Sequence, residues 1–346
     1  MNPMTLLFLI MNLALGTIIT LSSFHWLLAW AGLELNTLAI IPLISKQHHP
    51  RATEAATKYF LTQATASTLI IFASSINAWK TGQWDLTQLS LPESTAILTL
   101  ALAMKLGLAP LHFWLPETLQ GSTLHTALII STWQKLAPTM LLYMTANNLD
   151  KNTLLALGLS SSILGGWLGL NHTQIRKIMA FSSIAHMGWL FMAIALNPNL
   201  TLIALSIYLA LTLTMFLTLT TTSSKTLLDL GTTWPQSPTL LTTTMLTLLS
   251  LGGLPPLTGF IPKWLILKEL VSINLLIAST LMALSTLPSL FFYLRMSYMT
   301  TLTLPPNTTN STHKWRLKTL NSTLFTSLMT HTILPLPITP LITNIC

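Results

Sequence analysis

The segment AMKLGLAPLHFWLPE, residues 103–117, decides how this chain folds. It is almost entirely apolar, yet Gly107 and Pro110 stand in its middle and Lys105 lies just before them. A proline removes a backbone hydrogen-bond donor and clashes with the carbonyl group four residues earlier, so it breaks or kinks a helix. The segment therefore predicts two half-helices with an interruption beside a lysine.

A second segment, LGGLPPLTGFIPKW at residues 251–264, has the same character, with Pro255 and Pro256 ahead of Lys263. Backbone groups freed by such breaks are tolerated at membrane depth only where they are buried in protein or line a wet cavity. Ordinary proline kinks, which are common in membrane helices, are the alternative interpretation. The lysine beside each break favours a functional site.

The composition places the chain in a membrane. Of its 346 residues, 51% are hydrophobic and only 7% are charged, and the mean hydropathy is +0.64. A soluble domain carries about 25% charged residues, so a soluble enzyme is excluded, and a disordered chain would need low hydrophobicity and high charge. The net charge of +8 does not indicate nucleic-acid binding, because no stretch combines dense Lys and Arg with aromatic residues.

Residue usage also limits the cofactors. The single cysteine is Cys346, which excludes an intrachain disulfide and iron–sulfur or zinc sites built on cysteines. The sequence has no glycine-rich nucleotide-binding motif, and its eight carboxylates are too dispersed for a metal cage. We therefore expect neither a cofactor nor a metal in this chain.

Hydrophobic segments predict the architecture, since about 20 helical residues are needed to cross a bilayer core. The sequence predicts an all-α, polytopic membrane protein with about eleven transmembrane helices and no soluble domain. The predicted spans are 3–21, 25–45, 58–79, 94–119, 123–146, 153–170, 176–196, 199–222, 239–269, 273–297 and 320–342.

Cations in the connecting loops predict the orientation, because membrane proteins concentrate Lys and Arg on the inner side. The opposite side has Lys80, Lys151 and Lys268. We therefore expect the N-terminus on the inner side and the C-terminus on the outer side. The N-terminal side and the even-numbered loops carry most of the cations, namely Lys46, Arg51, Lys58, Arg176, Lys177, Lys225, Arg295, Lys314, Arg316 and Lys318.

The two breaks divide the single membrane domain, residues 1–346, into similar parts. Residues 1–146 and 153–297 each contain five predicted spans, and the fourth span of each is the broken one. Because five is odd, the second repeat is inverted relative to the first, and span 320–342 follows as one C-terminal helix. Paired interrupted spans in inverted repeats are typical of transporters.

Three charged residues, Glu34, Lys105 and Lys135, lie about ten residues inside their spans, near the midplane at 1.5 Å per residue. Burying a charge there costs at least about 2.5–3.5 kcal/mol, so a partner or water is expected. Glu34 and Lys105 are the natural ion pair, and Pro138 would loosen the helix around Lys135. Burial favours a neutral lysine and a carboxylate favours a charged one, so a movable partner would let a lysine exchange a proton. An ion pair that only fixes helix packing is the alternative.

Three further residues are candidates for a proton relay. Lys263 lies nearer the outer boundary, where its side chain could reach the headgroups, but it adjoins the second break as Lys105 adjoins the first. His186 lies at the centre of the seventh span, and His112 lies two turns after Lys105 on the same face if the helix resumes its direction. Histidine titrates near neutral pH, which suits a relay. A buried histidine that only packs is the alternative.

These motifs resemble those of a known family. The sequences WAGLELN at 30–36, MKLGLAPLHFWLPE at 104–117 and GGLPPLTGFIPK at 252–263, with the chain length and the opening MNP, resemble the mitochondrially encoded, antiporter-like membrane subunits of respiratory complex I. The resemblance covers essentially the whole chain and implies a proton-pumping module. It implies that Glu34 is the coupling glutamate, Lys105 its lysine partner, Lys135 the central lysine and Lys263 the lysine of the outward half.

The resemblance also implies the setting. The chain would be a multi-pass protein of the mitochondrial inner membrane, with its N-terminus on the matrix side and its C-terminus on the intermembrane-space side. Other complex I membrane subunits would flank it, with accessory subunits and lipids such as cardiolipin, and without nucleic acid. NADH, FMN, iron–sulfur clusters and ubiquinone would bind other subunits. Bacterial relatives have fourteen helices, and this chain would begin at their fourth.

Two other classes of protein remain open. A stand-alone or Mrp-type cation/proton antiporter subunit shares the broken helices and their lysines, but we would expect it to keep the full set of helices and longer termini. A purely structural membrane scaffold would not explain the charges at the midplane.

Overall fold

The computed structural model describes residues 2–45, 49–233 and 238–301, together with residues 326, 327, 329, 330 and 332. Within these residues the chain is helical, with two isolated β-bridges and no strand. A 3-10 turn lies at Ala146–Asn148. The α-helices are α1 (Pro3–Ser22), α2 (Trp26–Ile44), α3 (Pro50–Thr81), α4 (Pro92–Leu106), α5 (Trp114–Gly121), α6 (Leu124–Ser131), α7 (Trp133–Thr145), α8 (Lys151–Leu168), α9 (Ile175–Leu196), α10 (Pro198–Thr222), α11 (Leu227–Gly231), α12 (Pro238–Gly252), α13 (Phe260–Ser272) and α14 (Leu276–Thr301).

Six of the described helices are long and apolar enough to cross a membrane, namely α1, α2, α3, α9, α10 and α14. Each overlaps one of the predicted spans. The other spans are interrupted, shorter or less apolar, so the number of eleven stays a prediction. Most of the last predicted span, 320–342, and Cys346 lie outside the described residues.

Within the described residues, three of the predicted spans are interrupted. The fourth is divided between α4 and α5, and the ninth between α12 and α13, in both cases around the prolines. The fifth, 123–146, was predicted to be continuous, but α6 and α7 are separated at Thr132, which has φ −114° and ψ −71°. Pro138 lies inside α7. The helix therefore loosens on the N-terminal side of Lys135 as well, and the sequence did not predict this.

The chain forms two compact units. The first contains the residues up to Ser161 together with Leu190–Pro198, and the second contains Ser162–Trp189 and the described residues from Asn199 onward. In the first unit, α3 packs against α2, α4 and α5, while α4 also packs against α7. This arrangement brings the helix that carries Lys105 into contact with the helix that carries Lys135.

Two glycines set the distance between α1 and α2 in the first unit. A Cβ atom on Gly32 would lie 2.6 Å from Thr20 Cγ2 and 2.8 Å from the carbonyl oxygen of Gly16. A Cβ atom on Gly16 would meet the carbonyl oxygen of Gly32 at 2.8 Å. Small residues allow such close crossing of membrane helices, where van der Waals contact stabilises the pair. The crossing therefore depends on glycine in both helices.

In the second unit, α14 packs against α11, α12 and α13. The guanidinium of Arg295 on α14 donates a hydrogen bond from Nη1 to the carbonyl oxygen of Leu170 at 2.7 Å. Near the same end of α8, a Cβ atom on Gly166 would lie 3.2 Å from the carbonyl oxygen of Ser285. These contacts hold α14 close to α8, and α14 carries an aromatic residue that faces His186.

The short helix α11 begins with a network of hydrogen bonds that caps its N-terminus. The hydroxyl of Thr226 accepts a hydrogen bond from the backbone N–H of Asp229, and the Asp229 carboxylate accepts one from the N–H of Thr226. The N–H of Lys225 donates to the same carboxylate at 3.0 Å. These backbone donors hold the pKa of Asp229 below its ordinary value, because they stabilise the charged form.

Candidate functional site

In the first unit, the break between α4 and α5 leaves backbone carbonyl groups at the end of a half-helix. The half-helix ends at Leu106, and Gly107 follows at φ 75°, a left-handed conformation that glycine adopts without strain. The indole Nε1 of Trp114, at the start of α5, donates to the Met104 carbonyl oxygen at 3.0 Å. Pro110 lies in the break itself. A side chain of the second half-helix therefore satisfies a carbonyl of the first.

In the second unit, the break between α12 and α13 has a corresponding arrangement. The half-helix ends at Gly252, Gly253 follows at φ 78°, and Pro255 and Pro256 lie in the break. The Nζ of Lys263, on α13, donates to the Gly252 carbonyl oxygen at 2.9 Å. Lys263 is buried, so its side chain does not reach out to the headgroups. Its ammonium instead lies at the C-terminal end of a half-helix, where the helix dipole favours a cation.

Lys105 and Lys135 are the centre of a polar site in the first unit. Both side chains are buried, with 6% and 3% of their surface exposed. They line the same small cavity, which has room for about one water molecule. The Nζ of Lys105 has no hydrogen-bond partner among the described residues. The remaining lining residues are Leu33, Thr37, Tyr59, Gln63, Leu106, Trp114, Ile130, Gln134 and Pro138.

The predicted ion pair between Glu34 and Lys105 is not formed. No ion pair among the described residues joins them, and one carboxylate oxygen of Glu34 is buried without a hydrogen-bond partner. Lys105 nevertheless lies close enough to Glu34 to interact with it electrostatically. In the structure α3 packs against both α2 and α4, the helices that carry the two charges. The carboxylate acts on the lysine through space.

Polar residues that the sequence did not single out complete this site. Gln134 Nε2 donates to the carbonyl oxygen of Asn36 at 3.2 Å, which places its amide at the cavity. Gln63 is buried and also lines the cavity, and its Nε2 has no hydrogen-bond partner among the described residues. Tyr59 is also buried and lies within electrostatic range of Glu34. Gln134 is an amide near the middle of its predicted span, which is a signal that the sequence contains, whereas Tyr59 and Gln63 stand near the start of theirs.

The two histidines lie in different surroundings. His112 is buried in the break before α5, and its ring stacks on the ring of Phe113 with 4.4 Å between the ring centroids. Neither ring nitrogen of His112 has a hydrogen-bond partner among the described residues. Residues between α4 and α5 are not helical, so helical register does not place His112 on the same face as Lys105. His186 lies on α9 in the second unit, where its Nε2 is 3.4 Å from the hydroxyl oxygen of Tyr293.

The structure thus groups some of the predicted residues and separates others. Lys105 and Lys135 share a cavity, Glu34 acts on it from a distance, and His112 is absent from its lining. Within the described part of the chain, no group of three or more His, Cys, Asp and Glu residues could hold a metal ion. Buried ammonium groups beside a polar cavity can exchange protons with water or with each other, since burial and nearby charge shift the balance between their two forms.

Family models match nearly the whole chain. Residues 23–289 match the model described as NADH:quinone oxidoreductase/Mrp antiporter, TM, and residues 290–343 match NADH dehydrogenase subunit 2 C-terminus. The NADH-ubiquinone oxidoreductase chain 2 of Carassius auratus is 56% identical over 343 residues, covering 99% of each chain. The protein of the same name from Coturnix japonica is 55% identical over 345 residues, covering 100% of each chain.

Solved structures show the same fold. A chain of respiratory complex I from Thermus thermophilus superposes with a TM-score of 0.84 at 24% identity, covering 97% of this chain and 80% of that one. A chain of the Mrp complex from a Dietzia species superposes with a TM-score of 0.79 at 17% identity, covering 86% of this chain and 60% of that one. The prediction of an all-α membrane protein of the antiporter-like type is confirmed.

Proposed function

The chain belongs to the NADH:quinone oxidoreductase/Mrp antiporter family, among the chain 2 subunits of NADH-ubiquinone oxidoreductase, and we propose that it moves protons through its buried lysines. It is a membrane subunit of respiratory complex I, which couples electron transfer from NADH to ubiquinone to proton translocation. The single observation that carries the proposal is the cavity shared by Lys105 and Lys135.

The cavity supports proton transfer because it combines two buried ammonium groups with polar walls. An uncompensated charge at this depth costs several kcal/mol, and a protein built only for packing gains nothing by placing two like charges beside one cavity. The amide of Gln63 and the hydroxyl of Tyr59 offer hydrogen bonds to a water molecule in it. We infer that a proton passes between Lys105 and Lys135 through this water, with one lysine neutral while the other is charged.

Glu34 controls this exchange through its charge. An ionised Glu34 attracts the ammonium of Lys105, and a neutral Glu34 removes that attraction. Because the two groups do not touch, protonation of Glu34 changes the field at Lys105 without breaking a contact. His112, which is buried in the first break, is a further candidate for proton exchange.

Lys263 and His186 have the corresponding role in the second unit. The Gly252 carbonyl and the end of α12 hold the Lys263 ammonium, so loss of a proton turns a charge-assisted hydrogen bond into a weaker, neutral one. We propose that residues 1–146 and 153–297 are two inverted repeats followed by one helix at 320–342. The matching breaks, each with a left-handed glycine and a side chain that donates back to the first half-helix, support this division.

The partners of the chain include other subunits of complex I. We propose that membrane subunits flank it on both sides, that accessory subunits and anionic lipids such as cardiolipin contact it, and that it binds no nucleic acid. The exposed apolar face of α1, on which Phe8 and Leu7 are 65% and 60% exposed, supports contact with lipid or a neighbouring subunit. The chain matches the antiporter-like family and is not a known cofactor-binding subunit. We propose that NADH, FMN, iron–sulfur clusters and ubiquinone bind other subunits of the complex.

We propose the mitochondrial inner membrane as its location, with the N-terminus on the matrix side. The positive loops support this orientation, and Cys346 gives a direct test as the single cysteine. A membrane-impermeant maleimide is expected to label Cys346 in mitochondria with a ruptured outer membrane, and not in inside-out inner-membrane vesicles without detergent. The opposite result would reverse the predicted topology.

Glu34→Gln is expected to lower proton pumping per NADH oxidised by about tenfold, because it removes the charge that acts on Lys105 across a low-dielectric site. Glutamine keeps the size of the side chain, so the packing of α2 is preserved. Pumping is measured as quench of a pH-sensitive dye in proteoliposomes that contain the whole complex. Glu93→Gln is the matched control, since its carboxylate is exposed and pairs loosely with Lys80 at 3.5 Å. Equal pumping in both variants would contradict the role of Glu34.

A further inference from the structure

The half-helix α5 depends on α3 for its position. It has 8 residues, and the residues that join it to α4 are not helical, so α4 does not determine where α5 lies. Among the described helices, α5 packs mainly against α3. A helix this short is not kept in place by its own backbone hydrogen bonds. The contacts between α3 and α5 therefore decide where α5 places its side chains.

Packing contacts join α3 to both ends of α5. At the C-terminal end of α5, a Cβ atom on Gly121 would lie 2.5 Å from the Cβ atom of Ala55, so the two helices come very close there. At the N-terminal end, the ring of Trp114 meets the ring of Tyr59 edge to face, with 5.6 Å between the ring centroids. The contacts run in opposite sequence order on the two helices, which are therefore antiparallel.

An ion pair lies between these two contacts along the helices. The Nζ of Lys58, on α3, is 2.6 Å from a carboxylate oxygen of Glu117, on α5. The same Nζ is 2.6 Å from a carboxylate oxygen of Glu54, one turn earlier on α3. An isolated exposed ion pair contributes little to stability, whereas charges that form a network contribute more. Of the two pairs, the one with Glu117 joins two helices.

The position of α5 matters to the proposed proton path because Trp114 is part of both. Trp114 lines the cavity that Lys105 and Lys135 share. Its indole Nε1 donates to the Met104 carbonyl oxygen at 3.0 Å, and the Tyr59 ring that it contacts lines the same cavity. A shift of α5 along α3 would take the indole away from this carbonyl and move one wall of the cavity.

We propose that Lys58 and Glu117 are positioning residues, whose ion pair holds α5 against α3 and so keeps Trp114 in the wall of the lysine cavity. This inference rests on the proposed proton exchange between Lys105 and Lys135, and it adds the groups that maintain their cavity. The side chains of Lys58 and Glu117 are 41% and 50% exposed, and neither is among the described residues that line the cavity. They act on the site through the position of α5.

Proton pumping per NADH oxidised, measured on equal amounts of assembled complex, tests this inference. Lys58→Met and Glu117→Gln are each expected to lower pumping about threefold, because an exposed ion pair shifts an equilibrium by at most about fivefold. In the Glu117→Gln background, Lys58→Met is expected to have no further effect. Lys58→Arg keeps the charge and is expected to pump normally. Glu54→Gln is the matched control, since it removes the other partner of the same ammonium and leaves the link to α5.

A second double-mutant cycle tests whether the ion pair acts through Trp114. Trp114→Phe keeps an aromatic ring against Tyr59 and removes the donor to the Met104 carbonyl. In this background Lys58→Met is expected to have little further effect, because no indole hydrogen bond remains to be positioned. If Lys58→Met instead lowers pumping by the same factor in both backgrounds, the ion pair does not act through Trp114 and the inference is overturned.

The remaining outcomes separate this inference from the proposed function. If Lys105→Met lowers pumping but Lys58→Met and Glu117→Gln leave it unchanged, the inference is overturned and the proposed function stands. An effect of Glu54→Gln equal to that of Glu117→Gln, or a loss in Lys58→Arg equal to that in Lys58→Met, would also overturn the inference. If Lys105→Met itself leaves pumping unchanged, the proposed function fails and the inference falls with it.

Discussion

Lys105→Met is expected to slow proton transfer through the first unit by about a hundredfold. This is the low end of the rate enhancement that one positioned acid–base group contributes. Methionine has a similar length and volume, and its apolar thioether suits the buried position beside Leu106. The variant therefore removes the proton carrier while the half-helix α4 and its close contact with α7 are kept. Because Lys105 Nζ has no hydrogen-bond partner among the described residues, its removal leaves no protein group newly unsatisfied.

The measurement is the number of protons pumped per NADH oxidised, in proteoliposomes that contain equal amounts of assembled complex. The rate of electron transfer is measured separately, with the membrane made permeable to protons. We expect this rate to change less than pumping does, since no redox group is expected in this chain. Lys80→Met is the matched control, because its ammonium is half exposed and pairs with Glu93 at the surface. Normal pumping in Lys105→Met would contradict the proposal that protons pass through the shared cavity.

The interruptions of the helices are the part of the fold that the sequence predicts best. Pro110, Pro255 and Pro256 act on their own backbone, and their effect is independent of the neighbouring helices. Gly107 is similar, since the left-handed conformation at φ 75° is a local property of the residue. Features that depend on one residue and its chain neighbours can be inferred from one sequence.

The arrangement around Lys105 depends on packing, and here the sequence predicts less. Opposite charges at the same depth suggested contact between Glu34 and Lys105, yet α3 packs against both of their helices. Gln63 and Gln134 reach the cavity from α3 and α7 because of the angles at which these helices pack, and no local pattern contains that information. The interruption at Thr132 is comparable, since its hydroxyl donates to the Leu128 carbonyl as many helical threonines do without breaking a helix.

Gly32→Leu is expected to prevent the close crossing of α1 and α2 and to lower the amount of assembled complex severalfold. A Cβ atom at this position would overlap the Gly16 carbonyl oxygen and Thr20 Cγ2, and the carbonyl belongs to a backbone that cannot rotate away. Overpacking of this kind costs about 1–3 kcal/mol. The measurement is the yield of intact complex on a native gel, together with its unfolding temperature after solubilisation.

Leu38→Phe is the matched control for Gly32→Leu, because it enlarges a side chain of the same helix at a position that is 51% exposed. The crossing also affects the position of the groups at the cavity. Gly32 lies two residues before Glu34 and one turn before Asn36. The carbonyl oxygen of Asn36 accepts a hydrogen bond from Gln134. Whatever complex does assemble with Gly32→Leu is therefore expected to pump fewer protons per NADH. Normal yield and normal pumping in this variant would show that neither assembly nor the position of Glu34 depends on the glycine crossing.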